Sequence, residues 1–290
     1  MSNHTAESRI ADRFRAEAIM RIQVINLAGR PDRLLHMRRE LGRLGLSFER
    51  VEAVDRATVE RAGPTGLRLP AAAVACAASH LAAMRRLVES GDRWGVVLED
   101  DVFFSVDARR FLIGDDWIPA DVDLVKLETF ATAVMLRGAG RPVGEGHRLH
   151  ELHFRHMGGA AYVVSGAFAR RLADRDPASL VHAIDELLFD PRLAAEPATT
   201  AWQLVPAIAI QEMRLVDEPF RRFATDIEAP RTRAAADPGA ARYRGLLGRL
   251  RWASRAVRHR LADRLRLLRQ MIRSRTTDLV LVEVPFGKRK

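Results

Sequence analysis

Trp94 to Leu98 (WGVVL) form an apolar run that ends abruptly in three consecutive carboxylates, Glu99-Asp100-Asp101. The run reads as a buried strand. Three adjacent carboxylates repel one another, and burial makes the conflict worse because isolated charges are costly out of water. A bound divalent cation removes it. Mg²⁺ and Mn²⁺ prefer oxygen ligands, and Mg²⁺ often uses one or two carboxylates plus substrate phosphates. The strand period of two puts Glu99 and Asp101 on one face and Asp100 on the other. Asp101 is the first candidate metal ligand, with Glu99 on the same metal or on a ribose. The carboxyl end of a parallel strand is also where α/β proteins place ligands. The alternative is a solvated acidic turn.

The flanking pattern alternates strands with helices. Ile22 to Leu27 (IQVINL) reads as a strand, broken by Ala28-Gly29-Arg30-Pro31. Pro31 and Asp32 suit the first turn of a helix, and Leu34, Leu35, Met37, Leu41 and Leu44 follow at helical spacing up to Gly45. Phe48 to Val54 alternates like a strand, and Pro70 opens an Ala-rich helix to about Ser90. Asp121 to Leu127 and Ala160 to Ser165 read as strands, the second followed by a helix. The glycine-rich stretch from Gly138 to Gly146 reads as a loop, and a short helix is expected over His182 to Phe189. Trp202 to Ile210 is extended, with Pro206 marking an edge or a break. Such alternation predicts an α/β fold with substantial parallel pairing.

The formal net charge is +10, and 48% of the 290 residues are hydrophobic, so a substantial core can be buried. The basic excess concentrates after about Arg221 and is nearly all arginine; Lys126, Lys288 and Lys290 are the lysines. Residues 227–237 read as a linker. Beyond it Leu246, Leu250, Ala253, Val257, Leu261, Leu265, Leu268 and Ile272 share one helical face among arginines. This basic amphipathic extension suits an anionic membrane surface, or equally a helix packed on its own domain. Asp278 to Val284 reads as a last strand. The expected layout is an N-terminal extension over 1–20, a main domain over 21–226 and the basic extension over 227–290. No segment is expected to span a membrane. The N-terminal residues lack the apolar core of a secretory signal, and a single cysteine, Cys76, fits a reducing compartment. A cytoplasmic protein, peripheral on the inner membrane face through its tail, is the expectation.

Several stretches then line up in order. They are Val24-Ile25-Asn26-Leu27 with Arg30-Pro31-Asp32-Arg33, Phe48 to Asp55, Ala75-Cys76-Ala77-Ala78-Ser79-His80-Leu81, and Val97-Leu98-Glu99-Asp100-Asp101-Val102. Asp123 to Leu127, Gly158 to Ser165, Ile184-Asp185 and Pro206 to Gln211 complete the series. In this order and spacing the chain resembles glycosyltransferase family 25, the lipopolysaccharide-biosynthesis and procollagen galactosyltransferase family, over about residues 20 to 215. The resemblance implies a GT-A type nucleotide-diphosphosugar transferase fold with a mixed, mostly parallel central sheet. It also implies a UDP-sugar donor, commonly UDP-galactose, a divalent metal (Mn²⁺ or Mg²⁺) and an inverting mechanism.

Within that resemblance Asn26, Arg30 and Arg33 are expected to hold the nucleotide, with Glu99 and Asp100 beside it and Gly159 allowing close approach of backbone to sugar. Asp185 is the first candidate for the general base, and His80 is expected to face donor or acceptor. Cys76 and His80 are four residues apart and share a helix face, but no further metal ligand is spaced nearby in the sequence. The expected acceptor is a glycan or lipid-linked glycan. A nucleic-acid role fits poorly, because uncompensated carboxylates repel phosphates and aromatics are only 6% of the chain. A receiver domain would place its acidic pair near its start, and two strand–helix units precede this one. A non-catalytic basic scaffold with a degenerate transferase fold is the remaining alternative.

Overall fold

The computed structural model describes residues 20–63, 66–153, 156–190, 193, 200–215, 222–223, 265, 268–269, 272 and 278–289. The expected N-terminal extension, the linker and most of the basic amphipathic stretch lie outside these residues.

A nine-stranded mixed sheet organises the molecule, in the order β12-β7-β8-β10-β5-β9-β3-β1-β2. Its strands are β1 (Arg21–Asn26), β2 (Glu49–Glu52), β3 (Trp94–Glu99), β5 (Leu124–Lys126), β7 (Ala133–Gly144), β8 (His147–His153), β9 (Ala161–Ser165), β10 (Ala201–Val205) and β12 (Leu279–Glu283). A second, three-stranded sheet pairs β4 (Val102–Phe104), β11 (Ala209–Gln211) and β6 (Glu128–Thr129) in the order β4-β11-β6. Helices that flank these sheets are α1 (Pro31–Arg43), α2 (Arg56–Ala62), α3 (Ala71–Ser90), α4 (Ala108–Leu112), α5 (Gly166–Ala173), α6 (Ile184–Phe189) and α7 (Glu212–Leu215).

The expected parallel dominance is corrected. β2, β1 and β3 run parallel, as do β5 and β10. β9 inserts antiparallel between β3 and β5, and β12, β7, β8 and β10 pair antiparallel in succession. The expected loop over Gly138–Gly146 is also corrected, for most of it belongs to β7. Glycines at positive φ (Gly138, Gly140 and Gly144) fall where the β7–β8 register shifts, so they mark irregularities in a hairpin strand. The extended stretch from Trp202 splits at the cis Val205–Pro206 bond into β10 in the large sheet and β11 in the small one.

Helix α3 is the central cover of one sheet face. Ala77, Leu81, Ala83, Met84 and Leu87 are buried against Val97, Tyr162, Val164 and Phe168. Fully burying a Leu or Met side chain contributes roughly 1.5–3 kcal/mol. By length and composition alone α3 is apolar enough to cross a membrane, a pattern that the core helix of a globular domain also shows. On the other face Met37 and Leu41 of α1 join Ile22, Val24, Val96 and Leu98, with Phe104, Phe111 and Trp117 beyond them.

Chain end 278–289 belongs to this body. β12 pairs along β7, and beyond it the amide of Ala207 donates to Pro285 O, Gly287 N to Ala207 O and Val106 N to Lys288 O.

Candidate functional site

β1, β3 and β5 share one direction, since β1 runs parallel to β3 and β9 runs antiparallel to both β3 and β5. Their carboxyl ends therefore open on the same side of the sheet, and the polar residues gather there: Asn26, Glu99 to Asp101, and Lys126 to Glu128.

β3 ends at Glu99, and Asp100 and Asp101 form the tight turn into β4. The three carboxylates part company. Asp100 is buried and engaged by protein at both oxygens: Asn26 Nδ2 donates to its Oδ2 (2.7 Å) and Arg33 to its Oδ1 (2.9 Å). Glu99 and Asp101 instead meet across one amide, Gln211 Nε2, which lies 3.2 Å from Glu99 Oε2 and 3.2 Å from Asp101 Oδ1. The small sheet puts Gln211 there, because β11 pairs Gln211 with Val102, and Glu212 N donates to Asp101 O.

Asp101 is 6% exposed, and Arg33 reaches it only at 3.9 Å. Burial first, then the neighbouring Glu99 charge, push its carboxyl up to about 7. Asp100 is raised too, by burial, although Arg33 and Asn26 oppose the shift. An all-oxygen pair, Asp101 buried and Glu99 partly buried, that is short of positive charge fits Mg²⁺ or Mn²⁺. Asp101 and Glu99 are the residues that could hold such an ion.

Asn26 is fully engaged. Its Nδ2 also donates to Arg30 O, and its Oδ1 accepts from Arg50 Nε at 2.9 Å. It therefore ties the end of β1 to the acidic turn. Arg33 is likewise committed to Asp100, with its guanidinium also 5.5 Å from the Phe223 ring. Arg30 lies at the open N-terminus of α1, in a two-point contact with Asp32 (3.1 and 3.0 Å) that holds the Asp32 carboxyl below its ordinary range.

His80, projecting from α3, is almost wholly buried. Its Nδ1 is 3.0 Å from the Tyr162 hydroxyl and its Nε2 is 3.3 Å from Glu99 Oε1. It orients Glu99 from behind. One turn earlier Cys76 faces the same carboxylate, so Glu99 is the third donor that spacing in the sequence did not reveal.

Asp185 occupies the first turn of α6. Its Oδ2 accepts from Gly158 N (3.1 Å) and its Oδ1 from Glu186 N (3.0 Å). Gly159 lies between Asp185 and His80: a Cβ there would sit 3.7 Å from Asp185 Cβ and 3.9 Å from His80 Cε1. Asp185, Gly159, His80 and Glu99 thus adjoin, while Asn26, Arg33 and Asp100 form a supporting knot beside them.

Sequence reasoning missed a buried ion pair beneath this surface. Lys126 Nζ lies 3.2 Å from Glu128 Oε1 and donates to the carbonyls of Met157 (2.8 Å) and Gly158. Glu128 Oε1 in turn accepts from Ala160 N at 2.6 Å. Burial raises the Glu128 carboxyl, and Lys126 opposes the shift. The pair clamps the loop whose Gly158 amide reaches Asp185. Gly158 is held at φ 87°, and a Cβ there would meet Glu128 Oε1 at 2.9 Å, so glycine is required. The DLVKLE stretch carried a signal, a lysine and a glutamate two apart inside an apolar strand.

The model of glycosyltransferase family 25 (LPS biosynthesis protein) matches residues 20–188, more than half the chain. The lacto-N-neotetraose biosynthesis glycosyltransferase LgtB of Neisseria meningitidis serogroup B is 28% identical over 210 residues, 67% of this chain and 76% of that protein. The lipooligosaccharide biosynthesis protein lex-1 of Haemophilus influenzae is 28% identical over 148 residues, 48% of this chain and 49% of that one. Among solved structures, a glycosyltransferase involved in glycosylation of the PBCV-1 major capsid aligns at 10% identity with a TM-score of 0.36, covering 67% of this chain and 93% of its own. That likeness is too loose to carry an argument. The family match spans β1 through most of α6 and includes every residue of the acidic turn, so the chain belongs to glycosyltransferase family 25 and is a glycosyltransferase.

Proposed function

We propose that this enzyme transfers a hexose, with galactose expected, from a UDP-sugar to a hydroxyl of a glycan acceptor, with inversion and with a divalent cation held by Asp101 and Glu99. The acceptor class is a lipopolysaccharide or related cell-surface oligosaccharide, in line with the lacto-N-neotetraose and lipooligosaccharide biosynthesis for which the similar proteins are named. The observation that carries the reading is the separation of the three turn carboxylates. Asp100 is spent on Arg33 and Asn26, while Glu99 and Asp101 converge on Gln211 with a deficit of positive charge.

The bound cation would supply charge neutralisation for the departing nucleotide diphosphate. The chain's own residues do the rest. Gln211 and His80 fix Glu99, and Gln211 and Arg33 set the orientation of Asp101. Arg30, at the N-terminus of α1, would meet a diphosphate or uracil. Asp185 accepts the proton of the acceptor hydroxyl as it attacks the anomeric carbon. Its two backbone hydrogen bonds aim the carboxylate, and each oxygen keeps a second lone pair for the incoming proton. The Gly158–Gly159 backbone leaves room for the sugar beside it.

Calorimetry with Mn²⁺ and UDP, together with product analysis, separates the roles. Asp101→Asn is expected to weaken Mn²⁺ and Mn·UDP binding at least tenfold. Asp185→Asn is expected to leave that binding within twofold and to cut transfer by a factor of about 10²–10⁴. Unchanged transfer in Asp185→Asn would remove it as base.

A further inference from the structure

Glu99 has two faces. Its Oε2 is turned to Gln211 and the oxygen-only pair with Asp101, while its Oε1 is turned to α3. On the α3 side stand two donors of different chemistry. Cys76 and His80 are one helical turn apart on the same face, and their ligand atoms and a Glu99 carboxylate oxygen all lie within 4.8 Å of one another. We propose that Cys76, His80 and Glu99 form a second cation site, selective for zinc or a similar thiophilic divalent ion, whose occupation draws Glu99 away from the transfer site and inhibits the enzyme. The inhibitory half rests on the sugar-transfer reading above; the binding half does not.

Donor chemistry sets the selectivity. Thiolate, imidazole and carboxylate together suit Zn²⁺, whereas Mg²⁺ and Mn²⁺ favour oxygen sets. Zinc at about 2.0–2.3 Å from each ligand needs the donor atoms roughly 3.3–3.8 Å apart, so side-chain adjustments of about 1 Å close the site from its present spacing. Three protein donors leave the fourth tetrahedral position to water.

The surroundings are those of a built site. His80 is 1% exposed, and its far nitrogen, Nδ1, is 3.0 Å from the Tyr162 hydroxyl. In the tautomer with Nδ1–H donating to that oxygen, the Nε2 lone pair faces Glu99 Oε1 at 3.3 Å and is free to bind an ion between them. Cys76 and Glu99 are only partly buried, which leaves the ion a way in. A single carboxylate serving both sites makes them compete: an ion bound through Oε1 and pulled toward α3 shifts Oε2 off Gln211 and Asp101.

Cobalt(II) tests the binding half without any sugar transfer. Titrated into the purified full-length chain, Co²⁺ is expected to produce thiolate-to-cobalt charge-transfer absorption in the near-ultraviolet, saturating at one equivalent and displaced by Zn²⁺. Cys76→Ala, a small change in a helix already rich in alanine, is expected to remove the band while keeping the far-ultraviolet circular dichroism and the basal activity. In the presence of saturating Mn²⁺, low-micromolar Zn²⁺ is expected to slow donor turnover at least tenfold in the unmodified enzyme and less than twofold in Cys76→Ala. Absence of the band in the unmodified protein overturns the site. A band with equal zinc inhibition in both proteins overturns its regulatory role. A band in a protein that turns over no donor overturns the transferase reading and the inhibition with it, and leaves the site standing.

Discussion

At the scale of single residues, charge compensation decides which carboxylates do what. Lys126 and Glu128 are both essentially inaccessible (1% and 0% exposed), so each depends on the other. Removing one partner of a buried pair typically costs about 3–5 kcal/mol, because the other charge is left uncompensated. Lys126→Met is expected to lower unfolding free energy by about that amount in urea titration, and adding Glu128→Gln to restore part of it. A double variant no more stable than the single one would show that the pair is not coupled. Asp101 makes a prediction about pH. Its carboxyl is raised from an ordinary 3.8 to about 7, so the metal-free fold binds this proton more tightly than the unfolded chain does. The group's contribution to stability is therefore complete below about pH 4 and falls as pH rises toward 7. A cation must displace the same proton, and its binding strengthens over that interval. The rise in Tm on adding Mn²⁺ should be several degrees larger at pH 8 than at pH 5. Equal shifts at both values would mean that Asp101 is not a ligand.

The acidic turn at the end of a buried strand was legible at this scale, because an apolar run that stops at three carboxylates marks where a strand leaves the core. The division of labour was not. That Asp100 is consumed by Asn26 and Arg33 depends on β1 lying beside β3, and that Gln211 joins Glu99 to Asp101 depends on a β4–β11 register more than a hundred residues long in sequence separation. That His80 is buried against Glu99 and Tyr162 depends on α3 laying that face on the sheet.

At the scale of elements, apolar periodicity located α1, α3 and the strands that follow them, while orientation stayed hidden. Nothing in Ala161–Ser165 distinguishes an antiparallel insertion from another parallel strand, since both are buried apolar runs. The glycines of β7 resembled a loop because hairpin irregularities and turns use the same residue. Gly166 is a case in which an element depends on absent atoms. It begins α5 directly after β9, and a Cβ there would lie 2.6 Å from the backbone oxygen of Asp92. Gly166→Ala forces that backbone apart and is expected to cost about 1–3 kcal/mol, read as a drop in Tm of several degrees. An unchanged Tm would mean that the β3 approach yields easily.

For the whole molecule, the chain's end closes the sheet that its beginning opens. β12 covers the β7 edge, and Thr129 Oγ1 donates to Val284 O (2.7 Å), linking the last strand to the small sheet that holds Gln211. A truncation after residue 277 uncovers that edge and is expected to lower solubility and activity together. Full activity after that truncation would separate this segment from the site. Within the basic stretch, Leu265, Leu268, Arg269 and Ile272 are helical, and the three apolar side chains among them are exposed. Attachment to an anionic membrane through this face is a proposal consistent with a lipid-carried acceptor.

The most direct test is UDP release by the purified chain, screened across UDP-sugars with and without Mn²⁺ beside Asp101→Asn. The account predicts metal-dependent release with one hexose donor, reduced at least a hundredfold in the variant. Release that is indifferent to metal and to Asp101, or none with any donor together with no calorimetric binding of a nucleotide sugar, would contradict it.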